Sequence, residues 1–237
     1  MSLLILAIAA LSGPAVAQPE MASTTNTYDE AIDVRDSFAG EVDPRYGDCV
    51  AALDTDPEAG RAAALRWVTD GGGPPAIHCA ALADLAMDLP RVGARRLYAL
   101  AEDLREEDPG MAARLYAQSA QAWLAGDEPE NALIPLEKAY GLAPRSPELH
   151  LMAAPVYAGA QRWGQTKRVL DLLESENRLN ANGYTLRAKA KQMLADYEGA
   201  AADIRTALRQ EPDNIDALII RGELIQAGYR IDPWGEN

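Results

Sequence analysis

Residues 132–144 read ALIPLEKAYGLAP, and residues 200–212 read AAADIRTALRQEP, 68 positions later. The two segments align without a gap, with small or apolar residues and a final proline at matching positions. The matching pairs are Ala132/Ala200, Leu136/Ile204, Ala139/Ala207 and Pro144/Pro212. Sixty-eight is twice 34, and a fixed period of this size is typical of stacked helical repeats.

An intervening copy falls between these two segments. Leu170 and Leu173 lie in register with the apolar positions, and Trp163 precedes that stretch as Tyr197 precedes the later one. From about Pro44 onward the chain consists of apolar-periodic stretches separated by short breaks rich in glycine and proline. This pattern predicts many short helices and no strand, with consecutive helices lying antiparallel.

With this period the chain resembles the tetratricopeptide repeat family, whose unit is a 34-residue pair of helices that cross at small residues. Small residues recur at the corresponding first-helix positions, namely Ala120, Ala154, Ala188 and Gly222. The resemblance implies an all-α, right-handed superhelix of helical hairpins, with three repeats in residues 113–214 and a capping helix and tail in 215–237. The units begin near Ala113, Pro147 and Ala181, and the capping helix begins at Ile215.

Two places depart from that family pattern or stay open. Arg187 and Lys191 stand in the third unit where apolar or aromatic residues are usual, so we expect its first helix to be shifted or unusually exposed. Trp234, in the tail, either folds back over the last helix or is a recognition residue.

Residues 44–112 are interpreted as divergent helical hairpins of the same stack. Their internal offset is 30, which matches Cys49 with Cys79, the two cysteines of the chain. Both would lie on first helices of successive units, so a Cys49–Cys79 disulfide is expected, with two free buried thiols as the alternative. The intervening stretch TDGGGPPAIHCA, residues 69–80, is expected to be a turn in which Gly71 ends one helix and Pro74 or Pro75 begins the next.

The N-terminus has the layout of a signal peptide. Residues 3–11 are an apolar run, and Ala15-Val16-Ala17 precedes Gln18, so residues 1–17 are expected to be removed after Ala17. An uncleaved membrane anchor is the alternative, although the run is shorter than the roughly 20 residues that a span needs. Residues 18–43 are polar and acidic and are expected to be flexible. We therefore predict a periplasmic protein without an integral membrane span, in an oxidising compartment that favours the disulfide.

Charge and motif content narrow the function. A formal net charge of -14 argues against nucleic acid as a partner and favours a neutral or basic one. The glycine run lacks the lysine of a phosphate loop, and the neighbouring His78 and Cys79 point about 100° apart on a helix, so they cannot form a catalytic dyad. A zinc site built from the cysteines, His78 and His150 lacks metal-ligand spacing. We expect no enzyme activity, no cofactor and no metal.

In the family that the chain resembles, the first helices line a concave groove that receives a peptide. Carrying those groove positions over implies a mixed polar and apolar lining. Its residues are Arg114, Ala117, Gln121, Glu148, Leu151, Pro155, Asn182, Thr185, Lys189, Gln192, Asp216, Ile219 and Glu223. The predicted function is a non-catalytic periplasmic scaffold or adaptor for a protein or peptide, and the alternative is a structural subunit of a cell-envelope assembly or export complex.

Overall fold

A computed structural model describes residues 43–232, which contain eleven α-helices and no strand. The helices follow one another as antiparallel neighbours, separated by short turns. Their bounds are α1 Arg45–Thr55, α2 Pro57–Thr69, α3 Gly73–Ala86, α4 Pro90–Leu104, α5 Pro109–Ala125, α6 Pro129–Leu142, α7 Pro147–Gly159, α8 Trp163–Ser175, α9 Ala181–Met193, α10 Tyr197–Gln210 and α11 Ile215–Gln226. The predicted signal peptide, the predicted flexible segment up to residue 42 and Trp234 lie outside the described residues.

The helix starts confirm the period found in the sequence. Helices α7, α9 and α11 begin at positions 147, 181 and 215, and helices α6, α8 and α10 begin at positions 129, 163 and 197, so both series advance by 34. Each helix packs on its sequence neighbours, and the first helices of successive hairpins also contact one another. The predicted all-α array of helical hairpins is therefore confirmed. Helix α5 begins at Pro109, so Ala113, where the first repeat was expected to start, lies in its second turn.

Capping residues and proline define where the helices begin. Six helices have an Asp, Ser or Asn side chain that accepts a hydrogen bond from a backbone N–H of the first turn. Six helices also have proline in the first two positions, where its missing N–H breaks no helical hydrogen bond. The caps are Asp56, Asp108, Ser146, Asn180, Asp196 and Asn214.

The glycine-rich stretch forms the predicted turn between α2 and α3. Gly71 has a φ of +81°, and its N–H donates to the carbonyl of Val68 while Gly72 N–H donates to that of Trp67. These two bonds satisfy carbonyls at the end of α2, and Pro74 is in the first turn of α3. The backbone amides are thus used in ending a helix, as the sequence predicted.

A disulfide joins α1 to α3. Cys49 and Cys79 are bonded, with their Cα atoms 6.5 Å apart, inside the range that disulfides need. The predicted pairing is therefore confirmed. The bond lies in an apolar cluster that also contains Val50, Leu53 and Trp67 and that holds the first three helices together.

The expectation that α9 is shifted or unusually exposed is wrong. Helix α9 begins one full repeat after α7, and Arg187 is only 3% exposed. The Arg187 guanidinium donates two hydrogen bonds to Asp203 of α10, at 2.9 and 2.8 Å. It also pairs with Asp171 and Glu174 of α8. A buried cation that is surrounded by carboxylates takes the place of an apolar contact, because its charge is compensated on both sides.

Candidate peptide-binding groove

The predicted groove residues come from four first helices, α5, α7, α9 and α11. These helices lie side by side, with direct contacts from each to the next. Since α7, α9 and α11 begin at one fixed interval, equivalent positions recur along one face of the array. We call the predicted lining residues on these four helices the first-helix face.

Three of the predicted residues meet between α9 and α11. The Glu223 carboxylate accepts hydrogen bonds from Lys189 Nζ at 3.3 Å and from Gln192 Nε2 at 3.0 Å. Both hydrogen bonds lower the pKa of Glu223, and the one from Gln192 contributes more. The Lys189 and Glu223 side chains are 36% and 44% exposed, so their interaction contributes little to stability and other charged groups could replace it. The cluster therefore suits reversible polar recognition.

Two further predicted residues, Asn182 and Glu148, contact side chains in the turn that precedes the next first helix. Asn182 Oδ1 accepts a hydrogen bond from Asn214, the N-cap of α11, at 2.7 Å. The Glu148 carboxylate pairs with Arg178 at 3.1 Å. The pKa of Glu148 is lowered, mainly by its own backbone N–H at the start of α7 and then by Ser146 and Arg178. Successive repeats are thus linked by polar contacts along this face.

The other predicted residues differ in exposure. Asp216 and Ile219 are exposed, whereas Arg114, Leu151 and Pro155 are half-buried. Thr185 and Ala117 are buried, and the Thr185 hydroxyl donates to the carbonyl of Ala181 in its own helix. The structure therefore places those two in the packing between helices, and a ligand would contact their neighbours instead.

A cavity of about 260 Å³ adjoins the upstream part of this face. Gln121, which the sequence predicted as a groove residue, contributes to its wall. The remaining wall residues were missed from the sequence and belong to α3, to α4 with its preceding turn, and to α5. They are Leu82, Leu85, Asp88, Pro90, Leu97, Gln118, Ala122 and Ala125.

The spacing of the turns explains why the cavity was missed. Asp88 and Asp127 both adopt a φ of 57° at the end of a first helix, but their positions in the chain do not differ by one regular repeat. Counting back from the groove positions of α5 by one regular repeat therefore does not reach the equivalent positions of α3. The available signal is the repeated motif Asp-x-Pro at residues 88–90 and 127–129, which marks the same turn twice.

A buried polar chain lies beside the cavity. The hydroxyl of Tyr46 is 2.7 Å from His78 Nδ1, and His78 Nε2 is 3.0 Å from Gln118 Oε1. Burial lowers the pKa of His78 to about 4, against a smaller opposite effect of the bond with Gln118. The neutral imidazole with its hydrogen on Nε2 satisfies both contacts, since Tyr46 then donates to Nδ1 and His78 donates to Gln118. His78 therefore joins α1, α3 and α5 and does not act on Cys79.

Residues 43–232 contain neither a candidate membrane-spanning helix nor a candidate metal cluster. None of the helices there combines the length and the hydrophobicity that crossing a membrane requires. Within the same residues, no group of three or more His, Cys, Asp or Glu side chains is arranged to hold a metal ion. The buried carboxylate of Asp84 is paired with Arg61 and Arg96 at 2.7 and 2.9 Å. These two arginines compensate its negative charge, so Asp84 has a structural role.

Comparisons with known proteins bear on the fold. No model of a known protein family matches the chain, and no curated protein matches it. Among solved structures, the chain is similar to a thermophilic TPR protein of Thermus thermophilus, with a probability of 1.00, a TM-score of 0.49 and 18% sequence identity. The similarity covers 81% of this chain and 99% of that one. The resemblance to tetratricopeptide repeats itself depends on the period and pairing of the helices described above.

Proposed function

We propose that the chain is an exported, non-catalytic scaffold that binds a segment of a partner protein on its first-helix face. The observation that carries the proposal is the line of partly or fully exposed polar groups from Glu148 to Glu223, presented by helices that stack at a fixed spacing. Such a preformed face binds an extended or helical segment through a few anchors and charge complementarity. The net charge of -14 favours a neutral or basic segment.

Site-specific crosslinking in cells tests this function. A photo-crosslinking amino acid at Gln192 is expected to capture a partner protein, because Gln192 lies in the polar cluster between α9 and α11. The matched control places the same amino acid at Arg209, an exposed residue of the second helix α10. The proposal fails if both positions capture the same proteins equally, or if neither captures any.

The disulfide supports the export part of the proposal, since disulfides persist in oxidising compartments such as the periplasm. We expect Cys49 and Cys79 to resist alkylation in protein from cells that express the full chain, and to react when residues 1–17 are deleted. The mature protein is expected to begin at Gln18. Alkylation of both thiols in the full-length protein, or crosslinks to cytoplasmic proteins alone, would exclude export.

One observation favours the alternative of a structural subunit. Helix α11 presents an apolar stripe on its outer side, in which Ile215 is 69% and Ile219 is 55% exposed. The equivalent residues one repeat earlier, Ala181 and Thr185, are 1% and 5% exposed. Terminal repeats usually have a polar outer face, so an apolar one is typical of a surface that is permanently covered.

Sedimentation of purified protein and of its native complexes separates the two functions. If the chain is a structural subunit, Ile215→Lys, which lies outside the first-helix face, releases it from its assembly, whereas Ile134→Lys on α6, with a 58% exposed side chain, does not. If the chain is a reversible scaffold, both variants behave like the wild type and the crosslinks at Gln192 persist.

A further inference from the structure

The cavity between α3, α4 and α5 has the composition of an anchor site for a single side chain. Leu82, Leu85, Pro90 and Leu97 form apolar walls, and Ala122 and Ala125 line the α5 side. Polar groups are few, as in small-molecule sites, where they fix the orientation of an otherwise apolar ligand.

One of these polar groups, the amide nitrogen of Gln118, lacks a hydrogen-bond partner within residues 43–232. Gln118 is 4% exposed, its Oε1 is bonded to His78, and within residues 43–232 its Nε2 has no hydrogen-bond partner. Exchanging the amide oxygen and nitrogen would leave the oxygen without a partner instead, so one amide atom stays unsatisfied in either orientation. A buried polar group in that state is destabilising unless a ligand completes it.

The volume limits the ligand. About 260 Å³ corresponds to roughly eight or nine water molecules at about 30 Å³ each, and lies below the range of about 300–1,000 Å³ for drug-sized ligands. A phenol ring with its attached carbon has a comparable number of heavy atoms. The cavity therefore fits one aromatic side chain.

We propose that the cavity receives a tyrosine side chain of the bound partner segment, and that the Gln118 amide, whose Nε2 is almost fully enclosed in the free chain, turns toward the cavity to hydrogen-bond with the tyrosine hydroxyl. This inference rests on the proposed scaffold function, and it names a tyrosine as the residue that anchors the partner segment. A tyrosine hydroxyl both donates and accepts, so it satisfies the amide in either orientation. Phenylalanine would leave the amide unsatisfied, and Asp88 in the wall disfavours an acidic group. Gln121, at the same wall, connects the anchor to the first-helix face.

The probe for this site is 4-methylphenol, the side chain of tyrosine as a free molecule, with toluene as the analogue that lacks the hydroxyl. Titration into the full 237-residue chain is followed by NMR at the methyl groups of Leu82, Leu85 and Leu97 and at the Gln118 side-chain amide. We expect saturable shifts at these groups and binding of 4-methylphenol about 2- to 10-fold tighter than of toluene, as one neutral hydrogen bond provides.

Two variants and a matched control variant make the test decisive. Ala125→Phe, at an exposed position of the cavity wall, is expected to abolish binding of both probes, whereas Ala62→Phe, on the exposed side of α2, leaves it unchanged. Gln118→Met is expected to remove the preference for 4-methylphenol. The proposal is overturned if neither probe shifts these groups, if toluene binds as tightly as 4-methylphenol, or if Ala125→Phe has no effect.

The result is separable from that of the scaffold function. If Ala125→Phe removes probe binding but the crosslinks at Gln192 keep their yield, the scaffold function stands and the tyrosine anchor is wrong. If 4-methylphenol binds as expected and a partner captured at Gln192 is lost with Ala125→Phe, the anchor is supported. Absence of any crosslink at Gln192 contradicts the scaffold and the anchor role together, even where the cavity binds phenol.

Discussion

Single residues with left-handed backbone follow the ends of several helices of this array. Asp127, Gln161 and Ala195 occupy the same place in three successive repeats, and all three have a φ between 55° and 63°. At each, the N–H of this residue and that of the next donate to carbonyls of the preceding helix. The same turn thus recurs in three repeats with three different side chains, so the conformation is imposed by the repeat and not by the residue.

Ala195 is the least suited of these residues, because an alanine side chain offers no polar group to offset the strain of a φ of 63°. We expect Ala195→Gly to raise the free energy of unfolding by on the order of 0.5–1 kcal/mol, measured by urea denaturation. Ala202→Gly, at an exposed position inside α10, is the matched control and is expected to lower it by about 1 kcal/mol. Destabilisation by both variants would show that residue 195 is unstrained.

His78 makes stability depend on pH. Its folded pKa, about 4, lies below the ordinary value of 6.5 because the ring is buried. The unfolded chain therefore binds a proton that the folded chain excludes, so stability is fully present above pH 6.5 and falls as the pH approaches 4. Between pH 7 and pH 5 we expect a loss of about 2 kcal/mol from this residue.

Urea denaturation at both pH values measures that loss, and His78→Gln serves as the comparison because its amide can bond to Tyr46 and Gln118 without titrating. The variant should show a shallower decline in stability. Glu102 does not interfere, because its hydrogen bond with Lys138 lowers its pKa to about 2, and its contribution is lost only below pH 4.5. Equal declines in wild type and variant would contradict the assignment to His78.

At the scale of elements, α9 shows where sequence patterns stop being sufficient. The family pattern placed α9 correctly from its period, but it indicated exposure at Arg187. Asp203, its main partner, lies 16 residues later on α10, and Glu174 lies 13 residues earlier on α8. Neither carboxylate can be identified from the sequence as a partner of Arg187, because only the packing of α8, α9 and α10 brings these charges together.

A double-mutant cycle tests this buried pair. Arg187→Met is expected to lower the free energy of unfolding by about 3 kcal/mol, because Asp203 stays buried with one of its two cations removed. Adding Asp203→Leu should recover part of that loss, since the buried carboxylate that lost Arg187 is then removed as well. The exposed pair of Arg162 and Glu130 is the control, and Arg162→Ala should change stability by less than about 0.5 kcal/mol. Additive effects of the two buried substitutions would contradict the coupling.

For the whole molecule, the period predicted most of the architecture and only part of the candidate site. The C-terminal helices repeat at one fixed interval, so both their positions and several first-helix residues followed from the alignment of residues 132–144 with 200–212. The N-terminal helices have different spacings, and the cavity beside Gln118 arises where those spacings meet the regular repeats. The buried chain from Tyr46 to Gln118 joins residues 32 and 40 positions apart, which no local pattern encodes.

The stacked architecture also determines how far the effect of the disulfide extends. The cluster that contains Cys49 and Cys79 is built from α1, α2 and α3, whereas α9, α10 and α11 share a separate cluster. In an array where each hairpin contacts its neighbours, stability is nearly a sum of local and nearest-neighbour contributions. Loss of the disulfide should therefore destabilise one end of the molecule and leave the other end folded.

We expect the double variant Cys49→Ala/Cys79→Ala to lose roughly 3–4 kcal/mol of local stability, as the chain-entropy estimate gives for a 30-residue separation. Hydrogen exchange measured by mass spectrometry should show faster exchange throughout α1–α3 and unchanged protection in α9–α11. Wild-type protein treated with a reductant is the control, and it should reproduce the same regional pattern. Equal loss of protection along the whole array would show instead that the eleven helices of residues 43–232 unfold as one cooperative unit.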